Sequence, residues 1–336
     1  MGPSGYVMGS IISQAEQGGR PISYEMVSKK PEKEFRRLTG LSKHNFLVVY
    51  KFVGGDNMFD QMKYQYNSRT PNRRKKQKRP DRLTHHDRLL LTLMRLRRGF
   101  SIEDLALLFH VSSALIGDIF YAVVNLLYHR FLPLRERMFT TRAAQPTSVL
   151  PACLKSFKNF RATIDNTEVK IQVPYNYKQQ GNTYSKYKSA NVVNYLVACN
   201  CWGAVSFISP GYEGSISDVE LFRVSGICDL LHPDDVLLVD RGFTIEEQTD
   251  ALRVKLVRPA FLGDRDVFSQ EENLMNSKIS AARIHIERCI RKLKCFHILK
   301  RMTNNMIPML DQIVFVIACL VNFDPPNIQA LQERDM

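Results

Sequence analysis

A chain of 336 residues can hold one large domain or two ordinary ones, and 44% apolar with 24% charged content is ordinary for a folded globular protein. These values argue against extensive disorder and against a membrane-embedded architecture. The net charge is +14 and unevenly placed: residues 1–150 hold 25 basic and 12 acidic side chains, residues 151–336 hold 22 and 21. An N-terminal excess of this kind predicts a polyanionic partner such as nucleic acid, since neutralising phosphates releases counterions whatever the sequence. Solubility charge or an import signal is the competing account.

Seven cysteines without a C-x-x-C pair or zinc-finger spacing predict reduced, buried thiols in an intracellular compartment. The N-terminus shows no charged-then-apolar signal, and Pro3 and Tyr6 break the myristoylation pattern. The longest apolar stretch, Met306 to Phe323, contains Pro308, Asp311 and Gln312. It reads as a buried terminal helix, so no membrane partner is expected.

Residues 1–30 are rich in Gly and Ser and are expected to be loosely ordered. Residues 31–68 form an N-terminal helical segment, with a helical pattern from Glu32 to Lys51 broken at Gly54-Gly55. Residues 69–82 carry eight basic side chains, among them Arg73, Arg74, Lys75 and Lys76, with two prolines and no apolar residue. This predicts an exposed basic linker that touches phosphate or directs nuclear import, against a plain solvated linker.

Residues 83–135 open with Leu89, Leu90, Leu93 and Leu96 at helical spacing. Two short amphipathic helices follow over 101–120, capped by Ser101 and Ser112, with Ala106, Val111, Ile116 and Ile119 turned inward. That is a helix-turn-helix outline, with a structural helical bundle as the alternative. His110 stands where such turns usually carry Gly. Ser113, Ala114 and Gly117 on the reading face are poor base readers, which predicts backbone contact with DNA more than sequence readout.

From 155 to 327 the pattern alternates. Arg161–Ile164 reads as a strand leading to Asp165, with Val169–Val173 as a further extended run. Asn191–Asn200 and Ala204–Ser209 read as a hairpin around Trp202-Gly203, Ser217–Arg223 as a Ser-capped helix start, and Asp235–Val239 as a strand ending in Asp240. Lys255–Pro259 is a short strand, and Ser280–Phe296 a long amphipathic helix with Ile284, Cys289, Leu293 and Phe296 towards the core. The order defines a mixed α/β domain.

Asp165 and Asp240 each close an apolar run and precede a turn-like segment, and functional side chains converge at strand ends in such sheets. Glu287 shares a helical stripe with Arg283, Arg291 and Lys294. On spacing alone an i, i+4 ion-pair ladder accounts for it better than a metal site. Asp218 reads as part of a helix cap, with a metal role as the alternative, and Glu168 as facing away from Asp165 on an extended strand. Lys186, Lys188 and Arg241 are candidate phosphate contacts or plain surface cations. His285 and His297 read as packing residues.

Several ordered blocks go further: IDNTEVKIQVP, YSKYKSANVVNYLVACNCWGAVSFISPGYEGSISDVELF, DDVLLVDRGF, ARIHIERCIRKLKCFHIL and IPMLDQIVFVIACLVNFDPP. Over roughly residues 85–327 the chain resembles the PIF/Harbinger transposase superfamily and its domesticated nuclease relatives. FRRLTGLSKHNF, at 35–46, fits the usual lead-in. The resemblance implies an RNase H-like α/β catalytic domain behind a small all-α helix-turn-helix region. It implies an acidic triad at Asp165, Asp240 and Glu287, acting as catalytic and metal-binding residues. Such carboxylates suit two hard divalent cations, Mg²⁺ or Mn²⁺, held about 4 Å apart to cut and join DNA phosphodiester bonds. Arg283 and Arg291 then flank the third acid as phosphate contacts. The resemblance further implies a nuclear protein (cytoplasmic until imported), a Myb-like DNA-binding partner, and self-association. The chain has a single Trp and no Myb-like repeat of its own. A domesticated DNA-binding protein without turnover is the alternative function.

Overall fold

The computed structural model describes residues 20–62, 83–140, 150–263 and 265–324. The basic linker, with Arg73, Arg74, Lys75 and Lys76, lies outside the described residues, as do residues 1–19 of the Gly/Ser-rich segment. The chain divides into two compact units. One runs to Leu132 and takes in Phe296–Leu299; the other holds Pro133–Cys295 and the chain from Lys300.

The first unit is all helical. Within the segment expected to be loosely ordered, Tyr24–Ser28 forms a helix (α1) capped by the Ser23 side chain. The Tyr24 ring stacks on Phe46 and His86, and this aromatic contact supplies what the local composition lacks. The expected Glu32–Lys51 helix is two, α2 (Glu32–Thr39) and α3 (Lys43–Phe52). Ser42 caps the second and restarts the chain. After Gly54, α4 (Gly55–Gln61) adds a further helix.

Helix α5 (His85–Arg98) opens with a capping box between Thr84 and Asp87, and its leucines are fully buried at the centre of the unit. Helices α6 (Ile102–Phe109) and α7 (Ser113–Phe131) follow with the expected caps, Ser101 and Ser112. The second is long, not short. Ile116 and Ile119 are buried as expected, whereas Ala106 and Val111 are only half-buried and Leu105, Leu108 and Phe109 fill the core instead.

The second unit is built on a seven-stranded mixed sheet. Strand β1 (Phe160–Lys170) follows a short helix, α8 (Arg135–Met138). Next come α9 (Tyr177–Thr183), β2 (Tyr184–Ser185), β3 (Ala190–Cys199), β4 (Val205–Ile208) and β5 (Tyr212–Glu213). Then α10 (Asp218–Val224), β6 (Val236–Leu238), α11 (Glu246–Ala251), β7 (Lys255–Val257), α12 (Gln270–Lys294) and α13 (Leu310–Asn322) complete it. The sheet order is β2-β3-β1-β6-β7, with β4 and β5 also on β3. Strands β1 and β3 are antiparallel; β1, β6 and β7 are parallel. This is an RNase H-like α/β sheet.

The hairpin around Trp202-Gly203 forms as expected, with Gly203 at φ 72°, a backbone region that side chains disfavour. Helix α12 begins ten residues before the expected start, because Ser269 and Glu272 form a capping box there. Ile284 is exposed rather than core-facing, and Ile286, Cys289, Ile290 and Leu293 form the buried stripe. Two helical stretches, Ser113–Met138 and Asn304–Asn322, are long and apolar enough to cross a bilayer by composition. In the second, Ile313 to Val321 are buried within the unit.

The sheet is covered on both faces. Ala162, Ile164, Leu237 and Val239 join Leu221 and Phe222 of α10 in one core. Val236 and Leu238 join Ile279 and Ala282 of α12 in the other.

Candidate active site

Strand alternation decides where the acids point. In β1, Ala162 and Ile164 face α10, so Asp165 faces the α12 side and Asn166 the α10 side. After β6, Leu238 faces α12 and Val239 faces α10, which sends Asp240 to the α12 side as well. Thr163 and Leu238 are partners in the parallel pairing. Asp165 and Asp240 each stand two residues further on, side by side.

Asp165 is not at a strand end. Strand β1 runs unbroken through it to Lys170, and Asp165 pairs with Val197 on β3. The apparent NTE turn is extended chain, because cross-strand pairing overrides the local polarity. Burial pushes the Asp165 carboxyl up to about 6, with smaller upward contributions from Asp240 and Asp218. The Asn166 amide, donating to Asp165 Oδ1 at 2.8 Å, and the Arg283 charge both oppose that rise. Asp240 lies in an exposed turn, where the Arg241 amide donates to its Oδ1 at 2.7 Å.

Arg283 reaches this pair from α12. Its Nη1 lies 3.2 Å from Asp240 Oδ1, with the Arg283 side chain 13% exposed. The Arg283 Nε is buried and has no hydrogen-bond partner among the described residues. Glu287 lies one turn further along α12 and is exposed. It is not gathered with Asp165 and Asp240: among the described residues no three His, Cys, Asp or Glu side chains are grouped to hold a metal.

Asp218 comes closer to the site than its sequence context suggests. Ser217 is the cap of α10, accepting from the Glu220 amide, while Asp218 accepts a hydrogen bond from Asn166 Nδ2. Burial raises the Asp218 carboxyl, and this Asn166 bond opposes the rise. Asn166 was the residue missed in the sequence; its only signal is its place beside Asp165. Its Oδ1 is buried without a hydrogen-bond partner. Asp165 and Asp240 offer oxygen donors alone on the α12 face, which suits a hard divalent cation better than a soft one, while the Asn166 carbonyl lies on the opposite face. The residues present therefore fit such an ion through two carboxylates.

The candidate phosphate contacts are spread out. Lys188 Nζ is 3.6 Å from Glu168 Oε1 and 4.3 Å from the Tyr187 ring centroid. Glu168 shares the face of Asn166, away from Asp165, as expected. Lys186 is exposed on the turn after β2. Arg241 is exposed with its guanidinium about 6 Å from the Phe261 and Phe268 rings. Arg291 is exposed two turns beyond Arg283. His285 is buried, its Nε2 3.5 Å from Cys153 Sγ, as a packing residue would be; His297 opens a short 3-10 turn. The seven cysteines are free.

In the helical unit, His110 occupies the turn between α6 and α7 in the left-handed region, φ 53°, in place of Gly. Ser113 and Ala114 are exposed, but Gly117 is buried against Ile102 and cannot read DNA. The reading face is thinner than the sequence predicts.

An RNase H-like sheet with adjoining carboxylates, together with a helix-turn-helix, defines the class of transposase-like DNA endonucleases. Residues 164–322 match the family described as DDE superfamily endonuclease, and residues 81–133 match the helix-turn-helix of DDE superfamily endonuclease. In both regions the chain is similar to the DDE superfamily endonucleases. No match was found among curated proteins or among solved structures.

Proposed function

We propose that this chain is a divalent-metal-dependent DNA nuclease of the Harbinger transposase type, cutting and joining phosphodiester bonds with Asp165, Asp240 and Glu287. The observation that carries the reading is the placement of Asp165 and Asp240 on one face, two residues beyond a paired position. Burial raises the Asp165 carboxyl, and repulsion from Asp240 adds a smaller part of that rise.

Asp165 and Asp240 would hold Mg²⁺ or Mn²⁺, with Glu287 supplied from α12. An ion held there would supply Lewis-acid chemistry, activating water and offsetting charge that builds on the phosphate. Arg283 holds Asp240 in the absence of an ion and offers its guanidinium to a substrate phosphate once displaced. The Asn166 amide orients the Asp165 carboxylate, and the Asn166 side chain ties β1 to Asp218. Lys186, Lys188, Arg241 and Arg291 supply further positive charge along the DNA.

This reading puts the protein in the nucleus, reached from the cytoplasm with a Myb-like DNA-binding partner, and acting as a self-associated species. The eight basic residues of 69–82 support nuclear entry, and the thin reading face of the helix-turn-helix supports the need for a partner.

A second reading, a DNA-binding protein without turnover, is favoured by one observation: Glu287 stands apart while Arg283 occupies Asp240. Mobility shift and strand cleavage measured on the same DNA separate the two. Shift with Mn²⁺-dependent product supports the nuclease; shift with no product under any divalent ion supports the second reading.

A further inference from the structure

Between α9, the β2–β3 hairpin and the segment leading to α10 lies an open cavity of about 890 Å³. Its walls include Tyr177, Tyr184, Lys186 and Tyr187. Tyr175 (86%), Tyr177 (87%), Tyr184 (44%) and Tyr187 (86%) are the exposed tyrosines among the described residues, and all fall within thirteen positions of the chain. Large aromatic rings are normally withdrawn from water, so four left out together mark a surface shaped for a ligand.

The cavity's lining carries Lys186 and no Asp or Glu, while Glu168, paired with Lys188, and Glu213, bonded to Asn182, stand at its edge. From Val169 to Tyr212 the chain carries no Asp or Glu and has four lysines, at 170, 178, 186 and 188. Lys186 has no ion-pair partner among the described residues. Lys188 leans over the Tyr187 ring.

The frame beneath the rings is held by hydrogen bonds and one close backbone approach. Asn191 Nδ2 donates to Gln180 O at 2.9 Å and to Thr183 Oγ1 at 2.8 Å, tying β3 to the end of α9. The Ser215 amide donates to Asn182 O at 3.1 Å. Gly214 passes so close beneath Thr183 that a Cβ there would sit 2.1 Å from the Thr183 carbonyl oxygen. Any side chain at 214 would part the cavity's walls. The cavity ends at Ile216, two residues before Asp218.

We propose that this cavity holds unpaired nucleotides of a DNA strand, their bases stacked on Tyr177 and Tyr187 and their phosphates met by Lys186 and Lys188. Aromatic platforms interleaved with cations bind single strands because every base has a face to stack, and phosphates follow the positive charge. A duplex keeps its bases turned inward and cannot use the rings. The inference rests on the reading of the chain as a DNA nuclease, and it specifies the form of DNA that lies near the carboxylates.

The test is fluorescence anisotropy with the full chain in EDTA, so that cleavage plays no part. The probes are a short blunt duplex and the same duplex carrying a single-stranded thymidine tail. Tailed DNA should bind more tightly. The double variant Tyr177→Ala/Tyr187→Ala should lose about tenfold or more of its affinity for the tailed probe, and much less for the blunt one. Tyr177→Phe/Tyr187→Phe should bind like the parent, since stacking needs the ring and not the hydroxyl; this pair also guards against misfolding. Equal affinity of the parent for both probes, or equal losses on both in the alanine variant, would overturn the assignment. So would a preference of tenfold or more for an RNA tail over a DNA tail. Failure of the nuclease reading would show separately, as absent cleavage of any DNA with metal present.

Discussion

Asp165 on β1 and Asp240 after β6 lie side by side because each stands two residues beyond Thr163 and Leu238, which are partners in the parallel pairing. Neighbouring strands sit roughly 4.8 Å apart, so two carboxylates at matched positions on one face share a single cation-sized space. Arg283 fills part of that space by pairing with Asp240.

A first prediction follows from the Asp165 carboxyl. Unfolded, it ionises near 3.8; folded, it is pushed up to about 6. Between those values the folded chain holds a proton that the unfolded chain has lost, so stability falls as pH rises through that window and stays reduced above it. Asp165→Asn removes this cost, which at one pKa unit per 1.36 kcal/mol amounts to at most about 3 kcal/mol. The variant should melt above the parent at pH 7 without divalent ions, and the gap should close near pH 4. Added Mn²⁺ should narrow the gap at pH 7 by stabilising only the parent. A gap of the same size at both pH values would remove the carboxyl from the explanation.

The clamp upstream of the site gives a second. Arg161 Nε is 3.4 Å from Asp235 Oδ2, with side chains 3% and 1% exposed, and the Arg161 guanidinium also packs 4.2 Å over the Phe139 ring. Arg161→Met leaves Asp235 as a buried charge without its cation and should cost about 3–5 kcal/mol in chemical denaturation. Arg161→Met with Asp235→Leu should recover a good part of that loss. No recovery in the double variant would mean that the ring contact, not the ion pair, carries the effect.

A third concerns the helical unit. The His86 ring stacks on Tyr50 at 4.1 Å and on Tyr24 at 4.9 Å, and burial lowers its pKa. The nearby Asp56 and Asp87 favour its charged form and His85 opposes it, but desolvation is the larger effect. A histidine whose folded pKa is depressed loses stability as pH falls below its unfolded value, because the unfolded chain takes up the proton first. The His86 contribution should therefore fall between pH 7 and pH 5, so that His86→Phe should melt higher relative to the parent at pH 5 than at pH 7. An unchanged slope in the variant would place the acid sensitivity elsewhere.

These relationships were unequally legible in the sequence. The caps at Ser101, Ser112 and Ser217, the hairpin at Trp202-Gly203 and the strand before Asp240 were all readable, since each depends on a few adjacent residues. What depends on distant partners was not. The chain's passage through Asp165 as continuous strand is fixed by β3, and the early start of α12 by Ser269 and Glu272, which lie outside its apolar pattern. Helix α1 exists through rings more than twenty positions away. At the site, the Asn166–Asp218 bond joins residues 52 positions apart that no spacing rule links. The tyrosines of 175–187 stand in plain view in the sequence, but only the fold shows that they are exposed and that Tyr177, Tyr184 and Tyr187 line one cavity.

The most direct measurement of the central claim is nicking of supercoiled plasmid by the purified chain with Mg²⁺ or Mn²⁺, beside Asp240→Asn and Glu287→Gln. The account predicts metal-dependent nicking by the parent and a loss of at least about a hundredfold in each variant, the scale expected when a group stabilising the transition state is removed. Glu287→Gln cutting as fast as the parent would contradict the assignment of the third acid. Undiminished nicking by Asp240→Asn would contradict the account as a whole.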